Sequence, residues 1–186
     1  MKTKSTFQLV LAAVTILLVA GSLVLRHPRQ EKPKDPSYAD LRSAFETFWI
    51  KAGMNTDEDD KPLKLADPVE FEDLHASCQD HKLFALSMMG VNAIDSSGEK
   101  VNLAGPWTGS GGTHVMVLGW DAATASFTKL FGDNLLDLYP DRVAKNQSCP
   151  PIPALVHGSY FNRVGYDSGE INLVFNLKTK KYVMAH

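Results

Sequence analysis

Residues 113–131 read THVMVLGWDAATASFTKLF. The stretch contains two runs rich in apolar side chains, 113–120 and 126–131, and the turn sequence DAAT separates them. Two such runs joined by a short connection are typical of a β-hairpin. Valine and aromatic side chains, which favour strands, support this interpretation. We therefore expect an antiparallel sheet at the centre of the domain.

Two further hairpins are predicted, one on each side of the central one along the chain. Residues 91–94 pair with residues 101–103 in the first, and residues 171–177 pair with residues 182–185 in the second. Apolar side chains occupy every second position of the strand at 171–177, which places them on one face of that strand. They are Ile171, Leu173, Phe175 and Leu177.

A helix is predicted at the start of the domain. Ser37 and Asp40, three residues apart, match a capping box. Apolar residues then recur at helical spacing, and Gly53 stands where such a helix would end. The residues on the apolar face are Leu41, Ala44, Phe45, Phe48, Trp49 and Ala52.

A second helix is predicted over residues 78–89, because Ser77 and Asp80 repeat the capping-box pattern just before it. A buried strand is the alternative, since residues 83–89 are almost wholly apolar. Helices early in the chain and antiparallel strands later predict an α+β domain. In that fold, N-terminal helices pack on a largely antiparallel sheet, and one transmembrane helix precedes the domain.

The N-terminal region decides the expected compartment. Residues 9–25, LVLAAVTILLVAGSLVL, carry no charge and would reach about 25 Å as a helix, which is enough to span a membrane. We expect a tail at 1–8, a transmembrane anchor at 9–25, a proline- and charge-rich linker at 26–36 and one soluble domain at 37–186. The alternative is a signal peptide cleaved near Ala20. The domain is expected outside the cytoplasm, in the periplasm or the extracellular space.

The charge distribution bears on the partners of the protein. Residues 1–34 carry six basic and one acidic side chain, and the rest of the chain carries 13 basic and 20 acidic ones, which gives net charges of +5 and −7. An acidic domain repels phosphate backbones, so we expect no nucleic-acid partner. The sequence also lacks a phosphate-binding glycine loop, so we expect no cofactor. The expected partners are the membrane, through the N-terminal helix, and a protein or peptide.

Three residues form a candidate catalytic set, Cys78, His114 and Asp133. A cysteine at the start of a helix is activated as a thiolate by the helix dipole. If Trp120 pairs with Ala125, Asp133 lies diagonally across from His114 on the same face of the sheet, within reach of the imidazole. Asn134 is the alternative partner of the histidine.

This order of residues resembles the transglutaminase-like core of the papain-like cysteine enzymes over residues 70–135. The matching segments are Met89-Gly90-Val91 after the cysteine helix, His114-Val115-Met116-Val117, and Phe131-Gly132-Asp133. The resemblance implies acyl chemistry, in which the Cys78 thiolate attacks an amide carbonyl, His114 takes the proton of the thiol and Asp133 orients the imidazole. It implies a protease, an amidase or a cross-linking enzyme.

A second hypothesis uses the same cysteine differently. Cys78 and Cys149 are the two cysteines of the chain, and outside the cytoplasm such a pair favours a disulfide. A disulfide would make the protein a non-catalytic cell-envelope domain that binds or inhibits a partner or belongs to a membrane assembly. Cys78 also lies between His75 and His81, but neither a helix nor a strand brings all three side chains together, so we expect no metal site.

Overall fold

The structure is a computed structural model that describes residues 35–57, 59–103, 108–109, 112–157 and 168–185. They belong to a compact unit that spans residues 35–186. The predicted anchor at 9–25 lies outside the described residues, as does the tail before it. No helix within the described ranges has the length and apolar character needed to cross a membrane.

The first predicted helix is confirmed as α1, Tyr38–Lys51, with Ser37 as its N-cap. The Ser37 hydroxyl accepts a hydrogen bond from the backbone N–H of Asp40 (3.2 Å), and the Asp40 carboxylate accepts one from the backbone N–H of Ser37 (2.9 Å). The reciprocal cap satisfies donors that a helix start otherwise leaves unpaired. One face of α1 is buried, through Leu41, Ala44, Phe45 and Trp49.

The second predicted helix is wrong, and its strand alternative is right. Residues 72–87 form a hairpin of β2 (Glu72–Cys78) and β3 (His81–Ser87), and a short 3₁₀ turn, Met88–Gly90, follows. Gln79 and Asp80 form the two-residue turn with φ angles of 52° and 65°. Positive φ at both positions is typical of the type I′ turn, whose twist matches that of paired strands.

Twelve strands and a single α-helix are found in the part of the chain that the structure describes. A five-stranded sheet contains β2, β3, β6 (Thr108–Gly109), β7 (Gly112–Asp121) and β8 (Ser126–Leu135), in the order β2-β3-β7-β6 with β8 also paired to β7. A four-stranded sheet has the order β12-β11-β10-β9, with β9 at Asp137–Leu138, β10 at Ile152–His157, β11 at Ser168–Asn176 and β12 at Lys181–Ala185. The third sheet, β1-β4-β5, consists of Lys64–Leu65, Asn92–Ile94 and Lys100–Asn102. A second 3₁₀ turn, Pro140–Arg142, follows β9.

The predicted α+β class is therefore wrong, because the described fold is mainly β. All three sheets are built from antiparallel pairs. The difference arises at residues 78–89, where apolar side chains on both sides of a tight turn were compatible with a helix as well as with a hairpin. Among the described residues, one α-helix and not several packs on the central sheet.

The other predicted hairpins are confirmed as β4–β5 and β11–β12. On β11, Ile171 and Leu173 are buried and Phe175 packs against them. Leu177 differs from the prediction, because it lies in the turn after β11 and is 74% exposed.

The central hairpin β7–β8 is confirmed, but its register differs from the predicted one. Trp120 pairs with Phe127 and not with Ala125. A further shift occurs beyond Val117, which pairs with Phe131, so that Leu130 is the extra residue of a β-bulge. Each shift changes which residue of β8 lies opposite a given residue of β7.

The five-stranded sheet is buried on both faces, and β7 shows this most clearly. Val115 and Val117 point toward the four-stranded sheet, where they share a core with Ile152 and Leu173. The alternate residues Met116, Leu118 and Trp120 point the other way, into a second core with Phe45 and Trp49 of α1. The domain thus has three layers, with β7 in the middle one.

Candidate functional site

Cys78 and Cys149 form a disulfide. Cys78 is the last residue of β2 and is 1% exposed. The backbone N–H of Cys149 donates a hydrogen bond to the carbonyl of Ser77 (2.7 Å), and Ser148 forms a parallel bridge with the same residue. The disulfide and these backbone contacts hold the loop around Cys149 against the outer edge of β2. A sulfur bonded in this way is not available as a thiolate nucleophile.

His114 is far from Cys78 along the sheet. Cys78 pairs with His81, and Lys82 pairs with Trp120, so Cys78 lies level with Asp121 at the far end of β7. His114 is seven positions from Asp121 on that strand, a separation of about 23 Å at roughly 3.3 Å per residue. The two side chains also belong to opposite faces, since Cys78 is in the core shared with Val115, whereas His114 alternates with Val115.

Asp133 also lies away from the position predicted for it. It pairs with Val115, and residues paired directly across a sheet share a face. His114 pairs with Asn134 and therefore faces the other way from Asp133. The structure does not bring the three predicted catalytic residues together, and it places the alternative residue, Asn134, beside the histidine.

The surroundings of His114 lower its pKa. Partial burial is the largest cause, and the positive charge of Lys129 acts in the same direction. The hydrogen bond with the Asn134 side chain and the negative charge of Asp133 oppose the shift. His114 is thus favoured in its neutral form, as a half-buried residue near the end of a central strand.

We expect stability to fall as pH drops below about 6.5, the ordinary histidine pKa, because the unfolded His114 then binds a proton that the folded one resists. Above that pH His114 is neutral in both states and contributes no pH dependence. Urea unfolding of the full chain at about pH 7.5 and about pH 5.5 checks this. The His114→Gln variant should lose less stability between the two pH values than the original chain. An equal loss of stability in both proteins would contradict the lowered pKa of His114.

Comparisons with family models, with curated protein sequences and with solved structures found no match. The likeness to the transglutaminase-like core therefore remains a resemblance in residue order. At Cys78 the chain has a strand end where that resemblance implies a helix start.

A cleft of about 620 Å³ lies at the other end of the five-stranded sheet. It opens where β2 and β7 begin and β3 ends, beside β9 of the four-stranded sheet. We call it the acidic cleft because Glu70, Glu72 and Asp137 line it, and the lining residues that the structure describes include no lysine or arginine. Such a concave surface is the most common setting for ligand binding.

Apolar side chains line the acidic cleft together with the carboxylates. Met89 is 61% exposed and Leu136 is 37% exposed, and both line the cleft together with Phe71. Large apolar side chains that remain exposed beside charged groups often mark a binding surface. No local sequence motif marks this site, because its residues come from β2, β3, β7, β9 and the segments next to them.

The carboxylates of the acidic cleft influence one another. The pKa of Glu72 is raised, first by partial burial and then by the negative charges of Asp137 and Asp141. Thr113 also lines the cleft, and its buried hydroxyl has no hydrogen-bond partner among the described residues. An unpaired buried hydroxyl costs free energy, and a raised carboxyl pKa means that the charged form is disfavoured.

A second groove of about 460 Å³ runs between β8 and β12. Its lining combines Lys129 and Lys181 with Asp133, so its charges have mixed sign. Tyr182 at its base is buried, which raises the pKa of the phenol. The groove does not share the single sign of charge that distinguishes the acidic cleft.

Proposed function

We propose that this protein is a non-catalytic, disulfide-stabilised domain outside the cytoplasm, tethered to the membrane by residues 9–25, that binds a partner protein in the acidic cleft. The observation that carries the proposal is the buried disulfide between Cys78 and Cys149. Disulfides of this kind persist in oxidising compartments and are rare in the cytoplasm.

The acidic cleft supports the binding role. It combines two exposed apolar side chains, Met89 and Leu136, with carboxylates, and no basic side chain is among its described lining residues. Binding surfaces between proteins commonly place apolar contacts at their centre and polar groups around them. The cysteine-enzyme alternative has no such support, because it requires a free Cys78 in contact with His114.

Photo-crosslinking in living cells tests this proposal. The full chain carries a photoreactive amino acid in place of Met89 or of Leu136, and a matched control carries it in place of Ile50, an exposed residue of α1 outside the cleft. We expect one discrete protein adduct, the same from positions 89 and 136, and no such adduct from position 50. Failure of both cleft positions to form an adduct, or equal adducts from all three, would contradict the proposal.

A further inference from the structure

The acidic cleft holds negative charges close together without a basic group among its described lining residues. Glu72 lies near Asp137 and Asp141, and Glu70 lies at the same end of β2. Arg142 follows Asp141 but is paired with Glu170 at 3.1 Å. Carboxylates of one sign gathered in a concave site attract a cation, because a cleft focuses their electrostatic potential.

The geometry favours an organic cation over a metal ion. Among the described residues, no group of three His, Cys, Asp or Glu side chains is arranged to hold a metal. A protonated amine or a guanidinium does not need converging ligands, because each of its N–H groups bonds to a carboxylate separately. The side chains of lysine and arginine therefore fit the charges of this cleft.

Thr113 provides an independent indication of a ligand. It is 9% exposed, it lines the cleft, and its hydroxyl has no partner in the described structure. Buried hydroxyl groups in proteins are nearly always hydrogen-bonded to protein, water or ligand. A polypeptide backbone brings both donors and acceptors, and so it is well suited to satisfy a single hydroxyl.

We infer that the acidic cleft binds a segment of a partner polypeptide in which lysine or arginine is flanked by apolar residues. This inference rests on the proposed function and specifies its ligand. The basic side chain pairs with Glu72 and Asp137, the flanking apolar side chains contact Met89 and Leu136, and the backbone of the segment bonds to the Thr113 hydroxyl.

Fluorescence anisotropy with the purified full chain tests the inference. The probes are two labelled peptides that differ only in charge, Leu-Lys-Phe-Lys-Leu and Leu-Glu-Phe-Glu-Leu. We expect the lysine peptide to bind and the glutamate peptide to bind at least about tenfold more weakly, with affinity falling as salt is added. Equal affinity for both peptides, or no binding of the lysine peptide, would overturn the inference.

Variants of the carboxylates locate the binding. The double variant Glu72→Gln, Asp137→Asn should bind the lysine peptide about tenfold more weakly. The double variant Glu99→Gln, Asp59→Asn removes the same charge from exposed residues outside the cleft and should change the affinity by less than about twofold. Equal effects of the two double variants would contradict binding in this cleft.

The Thr113→Val variant separates ligand binding from a structural role. Removing an unpaired buried hydroxyl should leave the urea midpoint unchanged or raise it, while the affinity for the lysine peptide falls about threefold. A lowered midpoint with unchanged affinity would show that the hydroxyl is structural.

The two proposals fail in different ways. If adducts still form from positions 89 and 136 when Glu72 and Asp137 are neutral, the cleft binds a partner but the inferred basic segment is wrong. If neither position 89 nor position 136 forms an adduct when Glu72 and Asp137 are intact, the proposed function is refuted.

Discussion

Replacing Cys78 and Cys149 together by alanine should lower the free energy of unfolding by about 4 kcal/mol. The two cysteines are 71 residues apart, and a disulfide that closes so long a loop removes much of the conformational freedom of the unfolded chain. Urea unfolding of the full chain, followed by tryptophan fluorescence, measures this change, since Trp49 and Trp120 are buried in the core.

Two comparisons control for the loss of the sulfur atoms themselves. Reducing agent added to the unaltered protein should destabilise it by a similar amount, and the same agent should leave the double alanine variant unchanged. A Ser148→Ala variant, in the same loop, should have little effect on stability. An unfolding free energy that is the same with and without the cysteines would contradict the role of this disulfide.

The second large effect is expected at Gly112, the first residue of β7. Its φ is +111°, a conformation that side-chain-bearing residues rarely adopt, and a Cβ there would collide with the backbone carbonyl of Leu135. Gly112→Ala should therefore cost about 3 kcal/mol or more, because β6 and β8 both pair with β7 at this point. The measurement is again the free energy of unfolding in urea.

Gly53→Ala is the matched control for this prediction. Gly53 also has a positive φ, +70°, but a Cβ there would meet no atom within 4 Å. Only backbone strain is added, so the expected cost is about 1 kcal/mol. Similar losses at Gly53 and Gly112 would show that the contact with Leu135 does not matter.

Local signals were sufficient for some elements of the fold. The capping box at Ser37 and the helical spacing after it predicted α1 correctly, because both cap and apolar face act within one helix. Alternating apolar residues likewise predicted β11 and its hairpin with β12. In these elements the stabilising contacts join residues that are close in sequence.

Other elements required information that short patterns do not contain. The β2–β3 turn uses Gln79-Asp80, which lacks the Asn-Gly signal typical of a type I′ turn, so a coincidental capping box suggested a helix instead. No prediction covered β10, where Pro153 weakens the resemblance to a strand. No local sequence pattern indicates the bulge at Leu130. The register of β8 could not be assigned without knowledge of this bulge.

The site was harder to predict than the fold. The sequence was compatible with Cys78 as a catalytic thiolate and with Cys78 in a disulfide. The choice depends on Cys149, which lies at the edge of β2 only in the folded structure. The catalytic interpretation depended on a register that is shifted in the β7–β8 hairpin. The acidic cleft could not be foreseen, because Glu72, Thr113 and Asp137 meet only when three separate strands assemble.

The central claim is that Cys78 is covalently bonded to Cys149 in the folded protein. Alkylation of the full chain taken directly from intact cells, unfolded without reductant and analysed by peptide mass mapping, tests it most directly. We predict that neither cysteine is alkylated and that one peptide pair, containing Cys78 and Cys149, is joined. An alkylated Cys78 in the protein from cells would contradict it.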